Sequence, residues 1–222
     1  MPRILELCAG TGSIGKAFKD HGWEVVSLDL MPDFSPTIQA DLMTWNFEVA
    51  YPSGHFDVCW CSPPCTEYSR AKTTGKRDLG KADSLVKRML DIFQYFQPNI
   101  WAFENPFTGL LKTRDVVDGL PFKFLCYCKY GFPYKKATAI WTNLETWQPR
   151  PMCTKATPCE CIVDGKHPQT AQRGPGKKDG KRVPSEEDKF SMHQLYSMPP
   201  TLCKEFAQAC NERVHFLEER VS

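Results

Sequence analysis

The spacing of apolar and polar residues predicts short strands that alternate with helices over the first 143 residues. Apolar runs that end at a glycine, a proline or an acidic residue are typical of buried strands. We predict such strands at 3–8, 24–30, 37–41, 57–61, 100–103, 122–128 and 138–141. Helical spacing predicts helices over 13–21, 83–97 and 201–220. Strands that alternate with helices form mostly parallel sheets with helices on both faces, so we expect a doubly wound α/β fold.

The segment from 147 to 184 does not follow this pattern. It is rich in Pro, Gly, Lys and Cys and has almost no apolar periodicity. A loop of this length inside a compact domain is either functional or disordered. We therefore divide the chain into a core at 1–146, a small polar loop region at 147–184, and a closing segment with its helix at 185–222.

Composition limits the class of protein. The 222 residues, of which 41% are hydrophobic and 24% charged, suit one globular domain and exclude wholesale disorder. No run of about 18 apolar residues is present, and no secretory leader is visible, so we expect a soluble intracellular protein without a membrane partner. The net charge of +2 indicates no partner by itself, because local charge decides binding.

The eleven cysteines are expected to be reduced thiols, because their number is odd and no export signal accompanies them. Several lie in apolar, strand-like runs, where a free thiol behaves as a small hydrophobic group: Cys8, Cys59, Cys61, Cys126 and Cys128. Cys153, Cys159 and Cys161 cluster in the polar loop, followed by His167. These four form one tetrahedral zinc set by residue type, but their spacing is not the paired C-x2-C pattern. A structural zinc and four unlinked surface residues both remain open.

A glycine-rich turn follows the first strand. Residues 10–15 fit the pattern G-x-G-x-x-G, and Ser13 is expected to cap the helix that follows. Asp29, at the end of the second strand, is placed to accept hydrogen bonds from ribose hydroxyls. The motif alone does not distinguish a dinucleotide such as NAD from S-adenosylmethionine.

Two further strands end in residues suited to chemistry. Ser62-Pro63-Pro64-Cys65 follows the fourth strand, and its two prolines hold the Cys65 thiol at the carboxyl edge, where open α/β sheets bind ligands. Glu104 ends the fifth strand and is expected to face the same crevice. A thiol nucleophile and a carboxyl group that converge on one cleft can attack a ring and supply or hold a proton.

The order of these motifs resembles that of the DNA (cytosine-5) methyltransferases. The resemblance covers residues 1 to about 143 and 190 to 215. It implies a Rossmann-like, S-adenosylmethionine-dependent methyltransferase fold, with a mostly parallel sheet, a C-terminal antiparallel strand pair and a small Cys- and His-containing loop region. The matching pieces are Glu6–Ser13, Asp29, Asp41, Ser62–Ser69, Phe103–Pro106, Tyr130–Pro133 and Ser197–Leu202.

The resemblance implies a covalent mechanism on a cytosine that is flipped out of duplex DNA. The Cys65 thiolate would add to carbon 6, Glu104 would hydrogen-bond nitrogen 3 and the amino group, and carbon 5 would take the methyl group from S-adenosylmethionine. Asp29 would bind the cofactor ribose, and Asp41 with Leu42 the adenine. The implied cofactor site comprises Leu7, Cys8, Ala9, Gly10, Thr11, Gly12, Ser13, Asp29, Leu30, Asp41, Leu42 and Pro63.

The chain departs from the family pattern at two places. Thr66 stands where the family usually has Gln. Lys136 and Thr138 stand where it has two arginines, the second of which helps hold the target base. Lysine lacks the planar fork of arginine, so we expect Lys136, or another cation such as Arg70 or Lys135, to compensate in catalysis. An RNA cytosine-5 methyltransferase and a weakly active or inactive DNA-binding relative remain alternatives.

The polar loop at 147–184 is the region left for reading the DNA sequence. We expect short or relaxed specificity, or a partner protein that supplies it. Basic residues after the nucleophile and in the loop are expected to bind phosphates of double-stranded DNA, in a prokaryotic or virus-infected cell or in a nucleus. With Ser69, which matches a family contact to the DNA backbone, the predicted contacts are Arg70, Lys72, Lys76, Arg77, Lys135, Arg173, Lys177 and Lys178.

Overall fold

Seven strands of the computed structural model form one mixed sheet. The structure describes residues 1–169, 177–178, 181–182 and 192–219. The sheet contains β1 (Arg3–Leu7), β2 (Glu24–Asp29), β3 (Ile38–Gln39), β4 (Val58–Cys61), β5 (Ile100–Pro106), β6 (Phe122–Cys126) and β7 (Ala137–Thr142). A separate antiparallel pair consists of β8 (Lys177–Lys178) and β9 (Lys181–Arg182). The helices are α1 (Ser13–Lys19), α2 (Phe47–Ala50), α3 (Leu79–Phe96), α4 (Met192–Tyr196) and α5 (Pro200–Glu219).

The strand order is β3-β2-β1-β4-β5-β7-β6. The first five strands are parallel to one another, and β7 is antiparallel to both of its neighbours. The order reverses between β1 and β4, whose last residues, Leu7 and Cys61, are paired in register. Open α/β sheets bind ligands at such a switch point, outside the carboxyl ends of the strands. The predicted mostly parallel α/β sheet with a final antiparallel pair is confirmed.

Helices cover both faces of the sheet. Ile4 of β1 and Trp60 of β4 pack with α1 and α5, and the ring centroid of Trp60 lies 5.1 Å from that of Phe206. The alternate residues of the same strands, Leu5 and Cys59, pack on the other face with α3. Central strands of a doubly wound sheet must be apolar on both faces, which explains the continuous apolar runs in the sequence.

Several element boundaries differ from the predictions, and three of these differences have a local cause or lead to another element. Helix α3 begins at Leu79 rather than at residue 83, because the Asp78 carboxylate accepts the Lys81 N–H at 2.9 Å and caps the first turn. Strand β5 continues to Pro106, because its pairing with β7 extends to Thr138. Strand β6 ends at Cys126 and is followed by the 3₁₀ turn Tyr127–Tyr130.

Some of the predicted features lie outside the residues that the structure describes. Arg173, a predicted DNA contact, and the predicted boundary at residue 184 lie outside the described residues. Lys177 and Lys178 are described as strand β8. No helix within the described ranges is both long and apolar enough to cross a lipid bilayer.

Candidate active site

Three residues in the left-handed backbone region shape the turn after β1. Cys8, Gly10 and Gly12 have φ angles of 50°, 50° and 64°. The Gly12 N–H donates to the Ala9 carbonyl at 2.8 Å and closes the turn. A Cβ atom built on Gly10 or Gly12 would meet no described atom within 4 Å. The predicted cofactor turn is therefore bordered by open space.

Asp29 holds this turn against the end of β2. Its Oδ2 accepts the Gly10 N–H and its Oδ1 accepts the Met31 N–H, each at 2.8 Å. Leu30, between the two anchored segments, is exposed. A carboxylate oxygen can accept more than one hydrogen bond, so both oxygens keep acceptor capacity for ribose hydroxyls while the backbone fixes their direction.

The segment after β3 carries the predicted adenine contacts. Asp41 accepts the Met43 N–H at 2.9 Å, and Leu42 is buried on the α3 side of the sheet. The Arg88 guanidinium of α3 donates to the carbonyls of Leu42 and Trp45 at 3.4 and 2.7 Å. Helix α3 thus fixes the backbone at this end of the site.

Glu6 is a site residue that the sequence analysis did not assign. Its carboxylate is buried beneath the N-terminus of α1 and accepts the N–H groups of Ile14 and Gly15 at 3.2 and 3.1 Å. Burial raises the pKa of Glu6 to about 7, although these two hydrogen bonds oppose the rise. The predicted capping role of Ser13 is wrong: Gly12 stands at the N-cap, with no side-chain cap, and Ser13 begins the helix. A lone acid in the apolar strand β1 was the signal that could have identified Glu6.

Gly15 allows α1 to approach Glu6 closely. A Cβ atom on Gly15 would lie 2.5 Å from the Glu6 Oε2 and 2.8 Å from the Val25 Cγ1. Any side chain at this position would therefore push the helix away from β1 and β2. The third glycine of the motif serves helix-to-sheet packing, as it does in dinucleotide-binding turns.

The turn that carries Cys65 is held from two sides. The Trp60 indole donates to the Ser62 Oγ at 3.0 Å, and the Asn105 side-chain amide donates to the Pro63 carbonyl at 3.1 Å. Asn105 is buried in β5, directly after Glu104. The Ser62–Cys65 turn and the end of β5 are therefore fixed relative to each other, with the Cys65 thiol partly exposed.

Glu104 and Lys136 share the electrostatic environment of Cys65. Burial and the Glu104 carboxyl raise the pKa of the Cys65 thiol, and the Lys136 ammonium opposes both effects. Burial raises the pKa of Glu104, and Lys136 lowers it. The Glu104 Oε2 is shielded from solvent and has no hydrogen-bond partner among the described residues. The Lys136 ammonium lies 4.7 Å from the ring centroid of Tyr127.

The nucleophile loop, residues 66–78, uses part of its positive charge internally. Lys72 pairs with Glu67 at 2.5 Å. The Arg77 guanidinium donates to the carbonyls of Glu67, Ser69 and Lys72 at 2.8, 2.7 and 2.9 Å. Lys72 and Arg77, two predicted phosphate contacts, therefore organise the loop. Two other predicted contacts, Arg70 and Lys76, have exposed side chains.

The closing segment returns to the turn after β1. The Met198 N–H donates to the Ser13 Oγ at 3.2 Å, and this hydroxyl also lies 2.8 Å from the Thr11 Oγ1. Farther along α5, the Asn211 side chain accepts the Trp23 indole N–H at 2.9 Å. Helix α5 therefore buttresses α1 and the end of the turn.

A Cys–His cluster lies where the 3₁₀ turn after β6 meets the polar loop. The sulfur atoms of Cys128, Cys153 and Cys159 and a ring nitrogen of His167 all lie within 4.8 Å of one another. Cys161, the fourth ligand expected from the sequence, is not in this cluster, because its thiol lies 3.2 Å from the Phe132 carbonyl. Cys128, interpreted from the sequence as a small hydrophobic residue in a strand, stands in its place. The predicted DNA contact Lys135 donates instead to the Cys153 carbonyl at 2.8 Å.

Sequence comparisons relate this chain to DNA methyltransferases, although no family model matches it. It is 33% identical over 162 residues to the probable DNA (cytosine-5)-methyltransferase of Frog virus 3 (isolate Goorha), covering 67% of this chain and 73% of that protein. It is 25% identical over 151 residues to the type II methyltransferase M.AplI of Arthrospira platensis, covering 60% of this chain and 43% of that protein. The chain thus spans less than half of the cyanobacterial relative.

Two solved structures were compared with the chain, and the first of them shares its fold. A candidate DNA modification methyltransferase encoded within an E. coli prophage superposes with a TM-score of 0.50 at 15% identity, over 69% of this chain and 52% of that one. A variant of Spodoptera frugiperda DNMT2 superposes with a TM-score of 0.42 at 18% identity, over 77% of this chain and 58% of that one. The first likeness concerns the fold alone. The 33% identity with the Frog virus 3 protein, over 73% of its length, shows that this chain belongs to the DNA (cytosine-5)-methyltransferase family.

Proposed function

We propose that the chain methylates carbon 5 of cytosine in double-stranded DNA through a covalent adduct to Cys65. The observation that carries the proposal is the shared electrostatic environment of Cys65, Glu104 and Lys136 at the carboxyl edge of the sheet. Cys65 follows β4, Glu104 lies in β5, and Lys136 directly precedes β7. The open turn at Gly10 and Gly12 follows β1, the neighbour of β4. A nucleophile and an acid beside a cofactor turn are the parts that this reaction requires.

The residues around the turn after β1 fit S-adenosylmethionine, which supplies the methyl group. The open space beside Gly10 and Gly12 lets backbone approach the methionine part. The Asp29 carboxylate, aimed by two backbone N–H groups, would accept hydrogen bonds from the ribose. Asp41 and Leu42 would hold the adenine.

Cys65 acts as the nucleophile in this proposal. Its thiolate adds to carbon 6 of the cytosine, and the ring electrons move toward nitrogen 3 and make carbon 5 nucleophilic. After carbon 5 has accepted the methyl group, its proton leaves to solvent and the returning electron pair expels the Cys65 thiolate. Because burial and Glu104 raise the pKa of the thiol, the Lys136 cation is needed to favour the thiolate.

In this proposal the Glu104 carboxyl is protonated and hydrogen-bonds the cytosine ring. Its raised pKa favours a neutral carboxyl, which can donate one hydrogen bond and accept another. Nitrogen 3 of cytosine is an acceptor and the neighbouring amino group is a donor, so one carboxyl group satisfies both. The Glu104 Oε2, without a partner among the described residues, is suited to this task. A ring held in this way must be flipped out of the duplex.

Sequence recognition falls to a small region in this proposal. Residues 1–146 form the catalytic core, 147–184 the recognition region, and 185–222 the closing segment. A recognition region this small supports short or relaxed specificity, or a partner protein that supplies it. A plasmid is treated with the purified chain, and the methylated cytosines are mapped by bisulfite sequencing. Relaxed specificity would give many methylated sites with a short common motif. Dependence on a partner protein would give methylated sites only after cell extract is added. A single long target motif would contradict this part of the proposal.

Trapping with 5-fluorocytosine tests the catalytic proposal. The fluorine at carbon 5 cannot leave as a proton does, so the adduct persists after methyl transfer. We expect wild type to form a covalent complex with a 5-fluorocytosine duplex in the presence of S-adenosylmethionine, with the adduct on Cys65 by peptide mass spectrometry. Cys65→Ala forms none, and Cys161→Ala, which changes another partly exposed thiol, forms the wild-type amount.

Tritium transfer from labelled S-adenosylmethionine separates the alternatives. The proposal requires label in duplex DNA and loss of that label with Cys65→Ala. Label in RNA alone would identify an RNA methyltransferase. Label in neither polymer, from a folded protein that binds DNA, would identify an inactive relative.

A further inference from the structure

We propose that the Cys–His cluster is a structural zinc site, with Cys128, Cys153, Cys159 and His167 as its four ligands. All four ligand atoms lie within 4.8 Å of one another. Cys128 belongs to the 3₁₀ turn after β6, and the other three belong to the polar loop. The zinc site would therefore join the recognition region to the core. The methyl-transfer chemistry itself does not require such a site.

The two distances from His167 to the cysteines fit tetrahedral zinc. Zinc bonds of about 2.3 Å to sulfur and about 2.0 Å to nitrogen place neighbouring sulfur and nitrogen ligands about 3.5 Å apart. The His167 Nε2 lies 3.7 Å from the Cys153 Sγ and 3.3 Å from the Cys159 Sγ. Four protein ligands with no carboxylate or open position are typical of structural rather than catalytic zinc.

Burial supports the same assignment. Cys128, Cys153 and Cys159 are 2%, 2% and 7% exposed, and His167 is half-buried. Three thiols cannot all be paired as disulfides with one another, and all eleven cysteines, each within the described residues, are free. A neutral thiol can be buried as a small hydrophobic group, but an imidazole nitrogen that is removed from water needs a polar partner. A metal ion provides one that all four ligand atoms share.

The apolar packing immediately around the Cys–His cluster is thin. The apolar cluster around it contains mainly sulfur-bearing and small side chains: Cys126, Cys128, Cys153 and Cys159, with Ala137, Met152, Cys161 and Ile162 at its margin. A segment without a large aliphatic or aromatic core gains its order from metal binding. The chain reversal at Asp164 and Gly165, with φ angles of 49° and 75°, returns His167 toward the cysteines.

Two lysines near the Cys–His cluster would stabilise the negative charge of its zinc complex. Three thiolates around Zn²⁺ leave one negative charge, which nearby cations offset. Lys135 donates to the Cys153 carbonyl at 2.8 Å, and Lys129 donates to the Pro158 carbonyl at 2.7 Å. Because Lys135 directly precedes Lys136, metal binding in the loop also steadies the segment that presents the catalytic cation.

Metal content of the full chain tests the proposal. Protein purified without chelators and supplied with Zn²⁺, then freed of excess ion, should retain one zinc per chain by elemental mass spectrometry. Replacement by Co²⁺ should give thiolate-to-cobalt charge-transfer absorption and the strong visible bands of four-coordinate cobalt. Neither measurement depends on a variant that folds or on methyl transfer.

Matched variants test the ligand set. Cys128→Ala and Cys159→Ala should lose the metal. Cys126→Ala, which changes a buried thiol of the surrounding apolar cluster, and Cys161→Ala should retain it. Wild type that binds no zinc or cobalt would overturn the site. Loss of metal from Cys161→Ala with retention in Cys128→Ala would overturn the ligand set.

Discussion

The side-chain amide of Asn105 donates to the backbone carbonyl of Pro63 at 3.1 Å and so ties the end of β5 to the turn that presents Cys65. Asn105 directly follows Glu104, and consecutive residues of a strand point to opposite faces. One strand therefore carries the proposed carboxyl group and, through its next residue, holds the nucleophile turn. We therefore expect the spacing of the two proposed reacting groups to depend on this hydrogen bond.

Asn105→Ala should lower methyl transfer at least ~10-fold, because a nucleophile that is out of place loses most of its positional advantage. It should also destabilise the fold by about 1–3 kcal/mol, because a buried hydrogen bond is lost. The matched control is Asn143→Ala, near the other end of β5, which removes a bond to the Trp101 N–H at 2.9 Å. Turnover per folded molecule should fall only in the first variant, as measured by tritium transfer and urea unfolding. Equal turnover in both would show that the tie to Pro63 is dispensable.

Lys136→Met should raise the pKa of both Cys65 and Glu104, because Lys136 lowers each of them. The pH dependence of Cys65 alkylation by iodoacetamide, followed by peptide mass spectrometry, should shift to higher pH, and methyl transfer near neutral pH should fall. Lys135→Met is the control, because its ammonium lies on the Cys153 carbonyl. An unchanged alkylation profile in Lys136→Met would contradict the electrostatic role.

Stability should fall between about pH 4.5 and 7 because of Glu6. Its pKa rises from 4.5 to about 7 on folding, so the folded chain keeps a proton that the unfolded chain loses. The contribution is fully present below the unfolded pKa and is lost as pH rises through the folded pKa, by about 3 kcal/mol in total. Urea unfolding at several pH values should show this fall in wild type relative to Glu6→Gln, whose amide does not titrate. Parallel curves for the two proteins would rule it out.

Gly15→Ala should destabilise the protein by about 3 kcal/mol, because the new methyl group would meet the Glu6 carboxylate at 2.5 Å and Val25 at 2.8 Å. Gly80→Ala is the matched control, because it is also helical and its Cβ would meet its nearest neighbour, the Asp78 Oδ1, at an ordinary 3.7 Å. The control should be neutral or slightly stabilising. Thermal melting of both variants checks the difference, and equal melting temperatures would mean that α1 is free to move away from β1.

The cations of the nucleophile loop should separate into two groups. Arg70→Ala and Lys76→Ala should weaken DNA binding and each reduce the salt dependence of log K by about 1, as loss of a phosphate contact does. Arg77→Ala should instead speed proteolysis within residues 66–78, because Arg77 holds three carbonyls of that loop. Fluorescence anisotropy across a salt series and limited trypsin digestion distinguish these effects. A normal salt slope in Arg70→Ala would remove that residue from the DNA surface.

Local sequence patterns predicted the sheet and the order of its motifs, because turn glycines and prolines and apolar periodicity act over a few residues. The members of the Cys–His cluster were harder to predict. Cys128 reaches the Cys–His cluster from 25 residues before Cys153 in an apolar run that is indistinguishable from a strand. Contacts between distant segments, such as Asn105 with Pro63, leave no periodic signal in the sequence.

Side chains of the nucleophile loop show the same limit. A run of cations after Cys65 predicts phosphate binding, but the sequence does not reveal which cations the loop uses for itself. Lys72 is occupied by Glu67, five residues away, and Arg77 by backbone carbonyls. A count of the charges therefore does not show how many of these cations are left without a partner inside the loop.

The described first part of the polar loop, residues 147–169, is attached to the core through backbone groups near both of its ends. Lys135 binds the carbonyl of Cys153, and Gln169 forms a β-bridge with Tyr134. Backbone attachments do not depend on the side chains between them, so exposed positions such as Glu160 and Lys166 are free to change during evolution. The proposed recognition loop can therefore diversify in sequence while the neighbouring proposed catalytic residues keep their places.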